Sequence, residues 1–294
     1  MPTDKKKPAK PWVFVDTNVF LDFYRERNDA TLSLLGRLKN VKQHLISTYQ
    51  VEMEFLKNRQ NVIGESLGNL KFQSQPNAPA IFADSATNKS VAKLSKEIEK
   101  KTKLQRKRML NLLRDPKKND VVFQTLTELF SSSSDRVLTR DMPCRTSIKR
   151  LALRRFLLGY PPRKKNDTSY GDALNWEWIV HCGNMERSKI IIVSRDSDYG
   201  LSLKKQNEHF LNDHLKRDFF ERTRHTNIEF TDRLSSALKE LNVSIPDREV
   251  DAEAESLNST AIETGQNADG RSLLDALRRH FDLEISIGSD ESEG

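Results

Sequence analysis

Two short apolar runs, each followed closely by an acidic residue, constrain the fold of this chain most strongly. Trp12–Val15 is followed by Asp16, and Ile190–Val193, which consists of four β-branched residues, is followed by Asp196. Runs of this length and composition are typical of strands buried in a parallel sheet. Acidic residues directly after such strands lie where open α/β sheets bind their ligands. The sequence therefore predicts an α/β fold with carboxylates at its strand ends.

The segments between these strands have apolar residues at helical spacing. A first helical pattern begins after Asp16, where Thr17 or Asn18 can cap a helix, and extends to Leu38. Similar patterns predict helices at residues 49–59, 89–113, 121–130, 145–158, 171–180, 208–222 and 231–241, and short apolar runs predict strands at 44–47 and 227–230.

Two more acidic residues lie on predicted helices. Glu54 borders an apolar stripe that includes Val51 and Phe55, and Asp172 lies in the first turn of an apolar helix. Each acidic residue has a structural explanation: Asp16 can cap its helix, Glu54 can pair with a basic residue, and Asp172 can interact with the helix dipole. Each can equally serve in an acidic site.

Together the four acidic residues predict a metal site. Because the carboxyl ends of parallel strands meet at one edge of a sheet, these side chains can share a cleft. Like charges at close range repel each other, and a divalent cation relieves that repulsion. Oxygen ligands with few histidines nearby favour Mg²⁺ or Mn²⁺ over zinc. On a basic protein, such a site indicates metal-assisted hydrolysis of phosphodiester bonds.

The charge of the chain is unevenly distributed. Lysine and arginine number 49 against 42 aspartate and glutamate residues, which gives a net charge of +7. Residues 251–294 contain 11 acidic and 3 basic residues, so the first 250 residues carry +15. A strongly basic body favours a polyanionic partner, of which nucleic acid is the commonest, although scattered surface lysines give the same total.

Other classes of protein are disfavoured. Cys144 and Cys182 lack the spacing of a zinc site or a disulfide framework. Residues 1–10 lack the apolar core of a signal peptide, and no segment is long and apolar enough to span a membrane. No glycine-rich phosphate-binding motif is present, which disfavours a small-molecule enzyme that binds nucleotides. We therefore expect a cytoplasmic protein with no membrane partner.

The order and setting of the acidic residues resemble those of the PIN-domain nucleases. The matching motifs are Asp16-Thr17-Asn18 after the first strand, Glu54 on the second helix, Gly171-Asp172 at a helix start and Ser194-Arg195-Asp196 after a strand. Residues 49–59 and 170–176 are similar to those of the larger bacterial PIN-like group. The resemblance covers roughly residues 11–241.

This resemblance implies a fold, an activity and a set of metal ligands. The fold would be a Rossmann-like three-layer α/β/α sandwich with a mostly parallel sheet, and the activity that of a Mg²⁺- or Mn²⁺-dependent endonuclease acting on RNA in preference to DNA. Asp16, Asp172 and Asp196 would be metal ligands. Glu54 would be a ligand or the residue that organises the attacking water.

The resemblance also implies supporting residues. Asn18 would position Asp16 by hydrogen bonding, and Ser194 is a second supporting residue. Asp198 is a further candidate metal ligand.

Two assignments stay open at this point. Glu52 competes with Glu54 as the acidic residue of the second helix, and the residues that follow favour Glu54. Arg163, Lys164 and Lys165 are the candidates for binding nucleic-acid phosphates, and a solvated loop is the alternative for them.

The chain is expected to divide into three parts. These are a disordered basic arm at residues 1–10, a PIN-like domain at 11–243 with a helical insertion at about 65–158, and an acidic, largely disordered tail at 244–294 with a short helix at 272–281. The basic helix 89–113 is either a solvated charged face or an arm that contacts a phosphate backbone.

The favoured function is a ribonuclease that acts as a toxin or defence effector, restrained by a partner or by its own tail. The tail would bind an inhibitory or effector protein, compete with the substrate, or serve only to keep the protein soluble. A catalytically silent PIN-like protein that binds nucleic acid or acts as a scaffold is the alternative, and the presence of all four acidic residues argues against it. The sequence also leaves room for a homo-oligomer.

Overall fold

A parallel sheet forms the centre of the protein in the computed structural model, which describes residues 10–26, 28–70, 81, 85–131, 134–163, 169–185, 187–203 and 206–258. The strands in chain order are β1 (Trp12–Val15), β2 (Leu45–Thr48), β3 (Val137–Leu138), β4 (Ile190–Val193), β5 (Gly200–Leu203), β6 (Glu208–Leu211) and β7 (Ile228–Thr231). Within the described residues, five strands form one sheet in the order β3-β2-β1-β4-β7 with every pair parallel, and β5 and β6 form an antiparallel hairpin. The predicted α/β fold with a parallel sheet is confirmed.

Helices cover the sheet. They are α1 (Thr17–Asp22), α2 (Asp29–Asn40), α3 (Tyr49–Asn69), α4 (Ala86–Arg114), α5 (Pro116–Asn119), α6 (Val121–Phe130), α7 (Arg145–Leu157), α8 (Gly171–Met185), α9 (Asp213–Thr223), α10 (Leu234–Glu240) and α11 (247–258). One group consists of α2 packed against α6 and α10, and α10 also packs on β4 and β7. A second group consists of α8 packed against α7 and α9, and α8 also packs on β2. The sheet between two helical layers is the predicted three-layer sandwich.

The order of the strands reverses at β1. The next strand in the chain, β2, pairs with one edge of β1, and the later strand β4 pairs with the other edge of β1. In that pairing Val15 lies opposite Val193, so both strands end at the same level, and Asp16 and Ser194 follow directly. Such a switch point opens a crevice at the carboxyl ends of the strands.

The core includes most of α8. Trp176 and Trp178 are fully buried, and each indole nitrogen finds an acceptor, Asp218 Oδ2 at 2.7 Å for Trp176 and the carbonyl of Arg136 at 3.0 Å for Trp178. The helix predicted from its apolar residues is therefore internal. Because its body is fixed, its first turn, which carries Asp172, is held at the edge of the sheet.

The helical pattern that follows β1 consists of two helices rather than the single one predicted. The side chain of Asn28 accepts a 3.0 Å hydrogen bond from the amide of Ala30 and so begins α2 independently of α1. An N-terminal cap of this kind starts a helix even where the apolar periodicity continues.

The prediction of one helix over residues 208–222 is wrong at its start. Asn212 caps α9 by accepting a 3.0 Å hydrogen bond from the amide of His214, and the residues before it form β6. A Cβ at Gly200 would lie 2.3 Å from the carbonyl oxygen of Phe210, so the absence of a side chain there permits the two hairpin strands to pair.

Residues 65–158, expected as a helical insertion, also contain β3. This strand of two residues pairs with β2 and completes one side of the sheet. Pairing with β2 stabilises this short strand. A strand of two residues is too short to show an alternating pattern in the sequence.

Residues 247–258, within the expected tail, form the packed helix α11. Ala252 and Leu257 are buried, and the carboxylate of Glu253 accepts hydrogen bonds from the amides of Leu234 (2.7 Å) and Ser235 (3.0 Å). Residues 1–9 of the expected basic arm and the expected helix at 272–281 lie outside the described residues. The division into domains stays a prediction.

Candidate metal site

Asp16 lies at the end of β1 and caps α1. Its Oδ1 accepts a 2.7 Å hydrogen bond from the amide of Thr17, and the residue is only 4% exposed. Its Oδ2 accepts hydrogen bonds from Asn18 Nδ2 (3.1 Å) and from the hydroxyl of Ser194 (2.6 Å). Asp16 therefore caps the helix and is also joined to the end of β4.

The acidity of Asp16 is shifted by its surroundings. Burial is the main cause that raises the pKa of Asp16 from 3.8 to about 6, and the charges of Glu54 and Asp196 add to it. The hydrogen bonds from Ser194 and Thr17 act in the opposite direction, because they favour the ionised form. A carboxyl with these neighbours responds strongly to any cation bound next to it.

Three aspartates form a close cluster beside this residue. One carboxylate oxygen from each of Asp172, Asp196 and Asp198 lies within 4.8 Å of the others. Asp172 extends from the first turn of α8, and the other two follow β4, so two different elements supply the cluster. We call these three residues the aspartate triad. All three are half-buried, which leaves access from solvent, and their hard oxygen atoms could hold a divalent cation.

Glu54 reaches the same edge from α3. Its Oε2 accepts a 3.1 Å hydrogen bond from Thr17 Oγ1, and its Oε1 accepts a 2.7 Å hydrogen bond from Gln50 Nε2. Gly171, the first residue of α8, provides the space, since a Cβ there would lie 2.2 Å from Glu54 Oε1 and 2.6 Å from Gln50 Nε2. The contact with α1 is made by Glu54 and not by Glu52. The catalytic role of Glu54 stays a prediction.

Tyr199 is the residue at this site that the sequence analysis missed. It is fully buried, and its hydroxyl has no hydrogen-bond partner among the described residues. Burial first, and then the charges of Asp172 and Asp16, raise the pKa of Tyr199 well above its usual value of 10. The phenol therefore stays protonated close to the acidic residues. Its position directly after Asp198 was the only signal in the sequence.

The guanidinium of Arg163 is engaged within the protein. It donates a 2.8 Å hydrogen bond to the carbonyl of Phe156, and its central carbon lies 4.4 Å from the centre of the Phe156 ring. Lys164 and Lys165 lie outside the described residues. Phosphate binding by these three residues stays a prediction.

Comparison with known proteins identifies the family. A family model described as the PIN domain matches residues 13–199, more than half of the chain. The chain belongs to the PIN domain family. The match begins in β1 and ends at Tyr199, so this PIN domain includes Asp16, Glu54 and the aspartate triad. The resemblance found in the sequence is thereby confirmed.

The other comparisons add no relative. No curated protein and no solved structure matches the chain. Among the described residues of this PIN-domain protein, every helix is too short or too polar to cross a membrane. PIN domains are commonly nucleases that use divalent metal ions, and the aspartate triad offers suitable donors.

Proposed function

We propose that this PIN-domain protein is a metal-dependent endonuclease that hydrolyses phosphodiester bonds, with RNA favoured over DNA. The observation that carries the proposal is the aspartate triad at the edge of the sheet where the strand order reverses. The charge of +15 on the first 250 residues supports a polyanionic substrate.

The aspartate triad fits a Mg²⁺ or Mn²⁺ ion. Three carboxylates at this separation repel one another unless positive charge or protons neutralise them. The donors are oxygen atoms alone, which are the ligands that these two ions prefer. When bound, the ion would supply positive charge for the phosphate oxygens at the reacting bond.

The surrounding residues would position the triad and the attacking water. Ser194 joins Asp16 to the chain at Asp196, because its hydroxyl donates to Asp16 and accepts from the amide of Asp196 at 3.1 Å. Asp16 is the adjacent acidic residue and the fourth proposed ligand. Glu54, held by Thr17 and Gln50, would accept a hydrogen bond from the attacking water and so orient it.

Incubation of the full chain with labelled single-stranded RNA and DNA tests the proposal. We expect cleavage of RNA with Mn²⁺ or Mg²⁺, slower cleavage of DNA, and none with EDTA. Asp196→Asn should abolish cleavage while the protein remains folded, because it removes one charge of the triad. Asp141→Asn, which neutralises an exposed aspartate outside the described site, is the matched control and should cleave normally.

Two results would contradict the proposal. Equal cleavage by Asp196→Asn and the wild type would exclude the triad from the reaction. No cleavage of either polymer with any divalent ion would favour the alternative, a catalytically silent PIN-like protein that binds nucleic acid or acts as a scaffold. Faster cleavage of DNA than of RNA would contradict only the proposed preference for RNA and would leave the proposed nuclease activity in place.

Within this function, we propose a cytoplasmic toxin or defence effector whose activity is restrained. We propose that the acidic segment after residue 258 restrains the activity, either by binding an inhibitory or effector protein or by competing with RNA. Expression of the wild type in a bacterial host should arrest growth, and Asp196→Asn should not. Equal growth with the two proteins would contradict a toxic activity.

A further inference from the structure

The longest helix, α4, has six lysines along one face. It spans 29 residues, none of them buried. The six lysines, which we call the lysine stripe, are Lys89, Lys93, Lys96, Lys100, Lys103 and Lys107. All are exposed. The prediction of a strongly basic helix here is confirmed by the structure, and neither the fold nor the metal site explains why it is basic.

The spacing of the lysine stripe places its members on a single line. Successive lysines are separated by four, three, four, three and four residues, the spacings that bring side chains onto one face of a helix. The opposite face carries Val91 and Met109, which are half-buried. From Lys89 to Lys107 the stripe is about 27 Å long at 1.5 Å per residue. This length is most of one turn of a nucleic-acid duplex, about 34–36 Å.

The helix is fixed to the body of the protein at its C-terminal part. Arg106 donates 3.0 Å hydrogen bonds to the carbonyls of Leu67 and Leu70, and Arg59 donates a 2.7 Å hydrogen bond to the carbonyl of Leu112. Leu112 of α4 therefore lies beside Arg59 of α3, and Arg106 of α4 lies beside the end of α3 at residues 67–70. Because the residue numbers increase in opposite directions, α4 runs antiparallel to α3. Its C-terminal end is therefore the end nearer to Glu54, which is five residues before Arg59 on α3.

Acidic neighbours compensate the lysine stripe only in part, because α4 contains ten basic residues and two acidic ones, Glu97 and Glu99. Lys103 pairs with Glu99 at 2.6 Å. Within the described part of the chain, Lys93, Lys96 and Lys100 form no ion pair. Like charges three and four residues apart destabilise a helix, and two acidic residues do not balance the ten basic ones of α4. A bound polyanion would relieve this repulsion along the whole stripe.

We infer that the lysine stripe binds the phosphate backbone of nucleic acid outside the cleavage site, without regard to base sequence. The inference rests on the proposed nuclease function for its substrate, and it adds a second contact surface, on a helix whose C-terminal end is the end nearer to Glu54. A substrate long enough to lie on both would be held more tightly than one that fills the metal site alone.

Binding of a fluorescent 30-nucleotide RNA, measured in EDTA over a range of salt concentrations, tests this inference. The stripe variant carries Lys93→Gln, Lys96→Gln and Lys100→Gln, since glutamine has nearly the helix propensity of lysine. The matched control removes three exposed charges outside α4, by Lys10→Gln, Lys42→Gln and Lys239→Gln. Far-UV circular dichroism confirms that both variants are folded.

We expect the stripe variant alone to lose affinity for RNA, by roughly tenfold at low salt. The slope of log K against log salt concentration should also become shallower by about 2, which corresponds to the loss of three phosphate contacts on a single strand. An affinity and slope equal to those of the control would overturn the inference. The stripe would then be a solvated charged face, which is the alternative that the sequence left open for this helix.

Cleavage assays separate this inference from the proposed function. With Mn²⁺, the stripe variant should cleave a 30-nucleotide RNA with lower kcat/KM than the control and a six-nucleotide RNA at the same rate. An equal kcat/KM on the long RNA would again contradict the inference. If the wild type cleaves neither RNA, the nuclease proposal fails, whereas the binding comparison in EDTA still decides the role of the lysine stripe.

Discussion

Ser194 donates a 2.6 Å hydrogen bond to Asp16 Oδ2 across a separation of 178 residues. The same hydroxyl accepts a 3.1 Å hydrogen bond from the amide of Asp196. One buried side chain thus links the acidic residue after the first strand to the aspartate triad after the fourth. The geometry of the site depends on this link.

Removal of the Ser194 hydroxyl should reduce both stability and cleavage. Ser194→Ala leaves Asp16 and the amide of Asp196 without this partner, and hydrogen bonds to charged groups contribute about 1.5–3 kcal/mol. We expect a loss of that size in the free energy of unfolding by urea and roughly a tenfold loss in kcat/KM. Ser194→Thr retains the hydroxyl and should keep most of the activity. A serine-to-alanine variant with wild-type kcat/KM would show that the link has no role in cleavage.

Asp16 should make the metal-free protein less stable as the pH rises. The pKa of Asp16 is raised from 3.8 to about 6, so the folded protein binds this proton more tightly than the unfolded chain. The resulting stabilisation is fully present below about pH 4 and is lost as the pH rises through 6. At neutral pH, Asp16→Asn should therefore be more stable than the wild type by about 3 kcal/mol at most, with no such gain at pH 4.

Urea denaturation in EDTA between pH 4 and 8 measures this difference. Saturating Mg²⁺ should reduce it, because a cation stabilises the ionised carboxylate. Parallel stability curves for the two proteins across this range would contradict the ionisation of a buried Asp16.

Gly171→Ala should damage activity and leave the fold intact. The new Cβ would lie 2.2 Å from Glu54 Oε1 and 2.6 Å from Gln50 Nε2, so one of these flexible side chains must move. A displacement of about 1 Å at a catalytic group can cost about 100-fold in rate. Gly64→Ala in α3 is the control, since a Cβ there meets nothing within 4 Å. Equal kcat for the two variants would mean that the position of Glu54 does not matter.

Arg155 should be one of the residues most important for stability. It donates a 2.8 Å hydrogen bond to Glu177 and a shorter one to Asp218, and both its side chain and that of Glu177 are almost fully buried. Loss of one partner of a buried ion pair costs about 3–5 kcal/mol, and because Arg222 still pairs with Glu177, Arg155→Ala should lower the free energy of unfolding by the lower end of that range. Arg217→Ala, which removes an exposed partner of Glu221, should leave the free energy of unfolding almost unchanged. Similar losses for both variants would contradict this distinction.

Removal of residues 259–294 should strengthen RNA binding at low salt if this segment competes with the substrate. The segment contains eight acidic and three basic residues and is tethered to a basic body. The deletion should begin after 258, because Glu253 and Leu257 of α11 are packed against the domain. Fluorescence anisotropy should show a difference of several-fold that fades at high salt. Equal affinity at every salt concentration would leave only partner binding or solubility as roles for this segment.

Local sequence determined the main elements of the fold and the candidates for the site. The runs at β1 and β4 are short, apolar and rich in β-branched residues, which suits strands covered on both faces. Asp16 and Asp196 follow those strands, and a parallel sheet brings the ends of its strands to one edge. These properties depend on neighbouring residues and are therefore visible without a structure.

Packing between distant segments decided the rest. β3 and the β5–β6 hairpin exist because partner strands complete their hydrogen bonds, and α11 is held where Glu253 accepts from two amides of α10. The site itself is built from elements that are far apart in the chain. They meet in the aspartate triad, in the contact of Glu54 with Thr17 and in the buried surroundings of Tyr199. Local sequence patterns do not predict these contacts, because the contacts form only when the helices and strands have packed around a common core.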